Sequence, residues 1–393
     1  IYLDNAGTTK TSHEVVNAMI PFFEEEYGNA SSLHSMGQRA KEHLDAARKI
    51  VAECINADAG EIYFTSGGSE SDNQAIISAS ILGERKGKKH IISSQFEHHA
   101  VLHTLEKLEK RGFSVTYLPV YENGIVKIED LKNAIREDTC LVTIMFANNE
   151  IGTIQPIKEI GQICHEKGII FHTDAVQAVG HVPVDVKEMN IDMLSISGHK
   201  FHGPKGVGAL YCKKTVLLNK FIEGGAQEKN KRAGTENVAG IVGMATALKN
   251  ACDHMDENAQ KEIKLRDKLI TKLSKIPHSS LNGDWKNRLP NNFNMCFEGI
   301  EGESLLLLLD DEGICASSGS ACTSGSLAPS HVLLAIGRPH EVAHGSLRLT
   351  LSEYNTEEEI DKVIKVVPPI VELLRKMSPV WEELEKGERK HVI

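Results

Sequence analysis

The first two thirds of the chain alternate short apolar runs with longer amphipathic stretches. Stretches such as residues 71–81, 101–110 and 156–166 repeat their apolar positions with helical spacing. Short apolar runs between them are typical of buried strands, and seven have this character: residues 62–64, 91–92, 115–118, 141–146, 169–171, 193–196 and 207–211. The alternation predicts an α/β fold whose mainly parallel, seven-stranded sheet is covered by helices on both faces.

The two ends of the chain follow other patterns. A capping-box pattern from Thr11 to Glu14 predicts the start of a helix, and a second helix is predicted over residues 38–55. After Thr235 a long polar-faced helical stretch covers residues 238–275. The elements predicted beyond it are strands over 292–297 and 346–351 and helices over 304–310 and 356–377. This pattern predicts a smaller α+β domain at the C-terminus.

The length supports two domains, because a single apolar core rarely keeps growing through 393 residues. We expect a large domain over residues 13–256 and a small domain formed by residues 1–12 and 257–393. Within the last helix of the small domain, Pro368 and Pro369 are expected to kink or break the helix.

Charge and cysteine usage narrow the class of protein. With 44 Lys and Arg against 54 Asp and Glu, the formal net charge is −10, which argues against a nucleic-acid-binding surface. No uncharged apolar run is long enough to span a membrane, and residues 1–4 do not resemble a signal peptide, so we expect a cytoplasmic protein without membrane contact. The 8 cysteines form no C-x-x-C pair, which disfavours a disulfide framework and a zinc ribbon.

Candidate chemistry follows three of the predicted strands. Lys200 lies among glycine, hydroxyl and imidazole residues directly after one strand, a setting in which lysine can form a Schiff base with an aldehyde cofactor. Asp174 ends another strand, where an acid can keep a pyridine nitrogen protonated. Residues 64–71 place a glycine turn between a strand and a helix, which suits a phosphate.

Each segment taken alone has an ordinary alternative. Lys200 could lie in a solvated turn, Asp174 could cap a helix, and the glycine turn could precede a helix that binds nothing. The three segments point to chemistry because each follows a predicted strand and all would meet at one edge of the sheet.

These segments and others along nearly the whole chain resemble the fold-type-I pyridoxal-phosphate enzymes. Within them, the chain is similar to the cysteine desulfurases of the NifS/IscS-like group, in the class-V aminotransferase family. The resemblance rests on residues 2–9, 28–34, 64–73, 97–98, 148–152, 195–206, 316–322 and 346–348. It implies a pyridoxal 5′-phosphate cofactor and a fold-type-I transferase.

The resemblance also implies the residues that hold this cofactor. Lys200 would bind it covalently and shuttle the substrate's α-proton, while Asp174 would pair with the ring nitrogen. His98 would cover the ring face and exchange protons, and Gln177 would bind the phenolic oxygen. The phosphate would be bound by Gly68, Ser69, Ser197 and His199, with Thr235 reaching across from the second subunit of a homodimer.

For the substrate, the resemblance implies that Arg348 grips the α-carboxylate and that Asn149 helps to position the substrate beside the cofactor. Cys322 lies in a Ser/Gly/Ala-rich stretch over residues 317–326, predicted to be a mobile loop, and would be the nucleophile. L-Cysteine would become L-alanine and leave a persulfide on Cys322. The persulfide would then pass to an iron–sulfur scaffold or another sulfur-acceptor protein.

Some features leave alternatives open. Gly7 and Ala30 depart from the usual family pattern without changing a reacting group. Cys315 is expected to be a buried strand residue, with a relay thiol as the alternative. Trp381 could serve scaffold docking or simply pack. Other possible functions are an aminotransferase, a selenocysteine lyase, or a scaffold without activity.

Overall fold

The structure is a computed structural model that describes residues 1–318 and 329–393. Its strands are β1 (Ile62–Thr65), β2 (His90–Ser94), β3 (Ser114–Leu118), β4 (Thr139–Thr143), β5 (Ile170–Asp174), β6 (Met193–Ser197), β7 (Gly208–Cys212), β8 (Ser279–Leu281), β9 (Asn292–Phe297) and β10 (Ser346–Thr350). Its helices are α1 (His13–Met19), α2 (Pro21–Glu24), α3 (Ser35–Cys54), α4 (Gly68–Arg85), α5 (His99–Glu109), α6 (Ile128–Ala134), α7 (Ile157–Lys167), α8 (Gln227–Asn230), α9 (Val238–Asp253), α10 (Met255–Leu273), α11 (Gly302–Asp311), α12 (His331–Ala335), α13 (His340–His344), α14 (Glu357–Lys376) and α15 (Pro379–Glu385).

The large sheet has seven strands in the order β1-β7-β6-β5-β4-β2-β3. Neighbouring strands from β3 to β6 pair in parallel, while β7 runs antiparallel to both β1 and β6. Each strand falls on one of the seven apolar runs, so the predicted sheet is confirmed. Nearly continuous burial of β2, β4, β6 and β7 is typical of a sheet covered on both faces.

The small sheet is antiparallel, in the order β10-β9-β8. Its core contains Leu3 and apolar residues between positions 265 and 371, among them Leu269 of α10 and Val367 of α14. The first residues reach it through bridges from Tyr2 to Cys315 and from Asp4 to Thr350. The division into residues 13–256 and residues 1–12 with 257–393 remains a prediction.

Helix boundaries differ from the prediction at two places. The stretch over residues 238–275 is two helices, α9 and α10, separated at His254, whose Nδ1 lies 3.0 Å from the main-chain oxygen of Asn250. The first helix is capped by Ser12 rather than Thr11, because the Ser12 hydroxyl accepts from the amide of Val15.

Pro368 and Pro369 lie inside α14, which continues to Lys376, so the predicted break is wrong, while the predicted kink stays a prediction. The two missing amides cost hydrogen bonds, but the helix begins with a capping box between Thr356 and Glu359. Its apolar face is buried in the core of the small sheet, which offsets that loss.

The prediction for Cys315 is also wrong, because its side chain is exposed. The main chain at Cys315 pairs with Ile1 and Leu3, and the alternation of an extended segment turns Ile314 inward and Cys315 outward. Across the described ranges, the structure has no helix with the length and apolar character needed to cross a bilayer.

Candidate active site

A cavity of about 390 Å³ lies where β5, β6 and the start of α4 meet. Residues from the N-terminal segment and from β10 close it on the other side. It brings together ten of the predicted site residues: Gly68, Ser69, His98, Asn149, Asp174, Gln177, Ser197, His199, Lys200 and Arg348. The carboxyl ends of strands in an open α/β sheet are the usual place for a ligand.

Lys200 ends a short 3₁₀ turn that follows β6 directly. Its Nζ donates hydrogen bonds to the main-chain oxygens of Ala6 at 2.5 Å and Gly7 at 2.8 Å. The amine is therefore held in the cavity wall by the N-terminal segment. Gln177 contacts the same segment, since its Nε2 donates to the Ala6 oxygen at 3.1 Å.

Asp174, the last residue of β5, forms a buried carboxyl pair with Asp72 of α4. Oδ1 of Asp174 accepts a hydrogen bond from the amide of Val176 at 3.0 Å. Burial raises the pKa of both carboxyls, and the charge of Asp174 raises that of Asp72 further. Asp72 therefore has the stronger tendency to hold a proton, while Asp174 is favoured as the acceptor within the pair.

Sequence reasoning missed Asp72. Asp72 lies three residues before Ala75 and four before Ile76, and both of these residues are buried on the inner face of α4. An acid on the apolar stripe of a helix is the signal that could have found it, because carboxyls are seldom buried without a specific partner. Its Oδ1 has no hydrogen-bond partner among the described residues.

His98 caps the N-terminus of α5, where its Nδ1 accepts from the amide of Ala100 at 3.1 Å. Burial lowers the pKa of His98, although the nearby Asp174 opposes this effect. The ring is therefore neutral near pH 7, and because Nδ1 is an acceptor, its proton lies on Nε2.

The start of α4 forms a narrow cradle. Gly67 has a φ of +151°, which residues with side chains rarely adopt, and no side chain caps the helix. A Cβ at Gly68 would lie 2.6 Å from Cγ2 of Val176, so only glycine leaves room there. Ser197 and His199 lie opposite, and burial lowers the pKa of His199 to about 4. First-turn amides at a positive helix end suit an anion.

Arg348 is among the largest fully buried side chains of the described residues. Its Nη1 donates to the main-chain oxygen of Asn149 at 3.1 Å, and its Nη2 donates to Oδ1 of Asp4 at 2.9 Å. The third donor group, Nε, is buried and has no hydrogen-bond partner among the described residues. The guanidinium lines the cavity, where its charge suits a carboxylate ligand.

Two predicted residues lie elsewhere. Thr235 is exposed and is not part of the cavity wall of its own chain. Cys322 lies outside the described residues. Ser317 lines the cavity and is the cavity residue nearest to Cys322 in the described part of the sequence. Its main chain pairs with that of Arg348.

The cavity fits pyridoxal phosphate on three observations. Gly68 leaves a space that a Cβ would fill, beside helix amides that suit a phosphate. The buried carboxyls of Asp72 and Asp174 line the cavity, where a carboxyl can pair with a protonated ring nitrogen. Lys200 places an amine at the same cavity.

Comparison with known proteins gives consistent matches. A family model described as aminotransferase class-V matches residues 1–363. The cysteine desulfurase IscS of Clostridium botulinum (strain Hall) is 56% identical over 393 residues, covering 99% of each chain. The IscS of Methanosarcina thermophila is 58% identical over 380 residues, covering 97% of this chain and 94% of its own. A solved NifS-like protein is 40% identical with a TM-score of 0.90, covering 95% of this chain and 100% of its own.

Proposed function

The chain belongs to the aminotransferase class-V family, and from this premise we propose how its residues carry out the reaction of its relatives. It is a pyridoxal-phosphate-dependent cysteine desulfurase that acts on L-cysteine and passes the sulfur to acceptors. One observation carries the assignment of residues: Lys200, the carboxyl pair at Asp174 and the buried Arg348 converge on one cavity.

The cofactor would be held at both ends of its ring. Lys200 would bind it through Nζ, and the charge shared by Asp174 and Asp72 would stabilise a protonated ring nitrogen. The amides at Gly68 and Ser69 would bind the phosphate. When bound, pyridoxal phosphate supplies an electron sink that makes the α-proton of an attached amino acid acidic.

Proton transfer would use two groups of this cavity. The amine of Lys200, once released, would accept the α-proton and later return it. Neutral His98 carries its proton on Nε2, because its Nδ1 accepts from the amide of Ala100, and would donate at Nε2. It would accept a proton at Nδ1 once that atom releases the Ala100 amide, and its lowered pKa keeps the ring neutral near pH 7.

Substrate orientation would depend on Arg348. Its position is fixed by the hydrogen bonds to Asn149 and Asp4, and its guanidinium lines the cavity in which the α-carboxylate of L-cysteine would bind. A buried guanidinium with fixed geometry binds a carboxylate more specifically than a lysine would.

Sulfur transfer would take place on Cys322. Its thiolate would attack the sulfur of the bound substrate, so that the S–S bond forms as the C–S bond breaks. The electron pair of the C–S bond remains with the carbon, which takes up a proton. L-Cysteine and one thiol thus become L-alanine and one persulfide, with all atoms accounted for.

The assembly and partners belong to the same proposal. Thr235 would complete the phosphate site of a second subunit, which makes the active form a homodimer. The persulfide would serve iron–sulfur cluster assembly through a scaffold protein or another acceptor. The described cysteines are free thiols, which supports a reducing, cytoplasmic setting.

The test is an anaerobic incubation of the cofactor-loaded enzyme with L-cysteine. We expect equimolar alanine and sulfide in the presence of reductant, and one added sulfur atom on the Cys322 peptide without it. Cys322→Ser should abolish transfer and keep the cofactor's absorbance, whereas the control Cys315→Ser should change neither. Alanine formed without any mark on Cys322 would instead support a selenocysteine lyase or aminotransferase.

A further inference from the structure

Three metal-ligating side chains meet beside the small sheet, away from the active-site cavity. Glu298 directly follows β9, His278 directly precedes β8, and His391 lies in the tail beyond α15. No spacing motif joins them in the sequence. One ligating atom of each lies within 4.8 Å of the others.

The two imidazoles share one carboxylate oxygen. Nδ1 of His391 lies 2.8 Å and Nδ1 of His278 3.7 Å from Oε2 of Glu298. The imidazole rings stack with their centroids 3.6 Å apart. The main-chain oxygen of Ile393 lies 2.8 Å from Nδ1 of His278 and adds an oxygen that can ligate a metal ion at the same place.

Glu298 is buried, with a side chain only 6% exposed. Among residues 1–318 and 329–393 its carboxylate forms ion pairs with these two histidines alone. Arg375 is close, but its guanidinium donates to the main-chain oxygens of Glu298 and His278. The three side chains thus present two imidazole nitrogens and one buried carboxylate at a single place.

We propose that Glu298, His278 and His391 bind a divalent transition-metal ion of the zinc class. Two imidazole nitrogens and one carboxylate are a common ligand set for such ions. Bonds of about 2.0–2.1 Å at tetrahedral angles separate ligand atoms by about 3.3 Å. The observed separations of 2.8 and 3.7 Å lie on either side of that value.

Binding requires one rearrangement. Lone pairs of parallel, stacked rings cannot converge on one ion, so one ring must turn. Either ring can turn, because both side chains are about equally exposed, 34% for His278 and 32% for His391, whereas Glu298 is buried. The ion would displace the protons from both ligating nitrogens.

The site would fasten the C-terminal tail to the small sheet. Without an ion, the tail is held there by His391 and by the amide of Val392, which donates to Oε1 of Glu298 at 2.7 Å. Trp381 packs edge-on against both imidazoles, with centroids 5.6 and 5.5 Å away. Its fluorescence should therefore report on the ion.

The experiment is calorimetric titration of ZnCl₂ into the untagged, cofactor-loaded enzyme. We expect one site per chain that is lost, or weakened by at least tenfold, in His391→Asn. Asparagine can keep the hydrogen bond to Glu298 but cannot ligate as imidazole does, so the variant separates a metal site from a hydrogen-bonded tail. His278→Ala should have the same effect. His254→Ala is the control, because it removes an exposed histidine at the far end of α10, about 28 Å of helix away.

A second readout follows the tail itself. Zn²⁺ should quench or shift the emission of Trp381 and slow tryptic cleavage after Arg389 and Lys390, and both effects should vanish in His391→Asn. Equal zinc binding by the wild type and His391→Asn would overturn the proposal. So would the absence of a site tighter than millimolar in the wild type, or tail cleavage that zinc leaves unchanged.

Discussion

Arg348 illustrates how much a single side chain is fixed by its neighbours. Lysine at this position would keep the charge but lose the planar fork that reaches Asn149, Asp4 and a substrate carboxylate together. We expect Arg348→Lys to raise KM for L-cysteine by about 10–100-fold, as loss of about 1.4–2.8 kcal/mol of binding would. Steady-state kinetics tests this, with Arg39→Lys, an exposed ion-paired arginine, as the control. An unchanged KM would contradict the role of Arg348.

Glu97 makes stability depend on pH. Its Oε1 accepts from Ser94 and from the amide of Met145, while Oε2 has no hydrogen-bond partner within residues 1–318 and 329–393. Burial raises the pKa of Glu97 to about 8. The folded state therefore holds a proton that the unfolded chain releases above about pH 4.5, and stability falls by up to about 1.4 kcal/mol per pH unit as the pH rises toward 8.

Glu97→Gln removes this titration and keeps an oxygen for the two bonds at Oε1. We expect the melting temperature of the wild type to fall relative to that of Glu97→Gln between pH 5 and pH 8, measured on the cofactor-loaded enzymes. Glu137→Gln, at an exposed position, is the control and should follow the wild type. A constant difference between wild type and Glu97→Gln would show that Glu97 is charged in the folded protein.

Some site residues can be predicted from the local sequence pattern, and others are recognised only from contacts in the folded structure. Lys200 and Asp174 follow apolar runs and were predicted from position and neighbours. Asp72 was missed because its carboxyl partner lies 102 residues away (174 − 72). Cys315 was misjudged because its pairing with Ile1 and Leu3 is a long-range contact that no local pattern encodes.

At the scale of elements, a buried ion pair positions the strand that leads to the phosphate cradle. Arg48 of α3 binds both oxygens of Glu228 at 2.7 and 2.6 Å, and Oε2 of Glu228 also accepts from the amide of Phe64 on β1. Arg48→Ala would leave a buried charge without its partner and should cost about 3–5 kcal/mol of unfolding free energy.

Denaturant unfolding measures this loss, and cofactor affinity should fall with it because β1 leads into Gly67. Lys49→Ala is the matched control, since Lys49 is the next residue on α3 but is 73% exposed. Equal stability of Arg48→Ala and Lys49→Ala would show that Glu228 is satisfied by other donors.

Element type was predictable where the apolar pattern was strong, and element ends were not. Each of the seven strands of the large sheet coincides with an apolar run, since burial on both faces of the sheet requires apolar residues at nearly every position. The break at His254 carries no such signal, because α9 packs on α1 and α3 while α10 packs on α14. Pro368 suggested a break in α14 that tertiary packing overrides.

At the scale of the whole molecule, Thr235 lies outside the cavity wall of its own chain. Thr235 is exposed, and large apolar side chains such as Phe23, Tyr27 and Leu33 are also exposed in this single chain. We expect a second copy of the chain to cover part of this surface, as the proposed role of Thr235 across a dimer interface requires.

A hybrid dimer of one Lys200→Ala chain and one Thr235→Val chain tests this arrangement. Lys200→Ala should abolish activity, and Thr235→Val should weaken cofactor binding by removing a hydroxyl from the phosphate. If Thr235 acts across the interface, a hybrid of the two chains has one doubly altered site and one site with both wild-type residues. The hybrid should then recover about half of the wild-type activity at limiting cofactor. If Thr235 acts within its own chain, the one site that retains Lys200 still carries Val at position 235, and mixing the two variants would restore nothing.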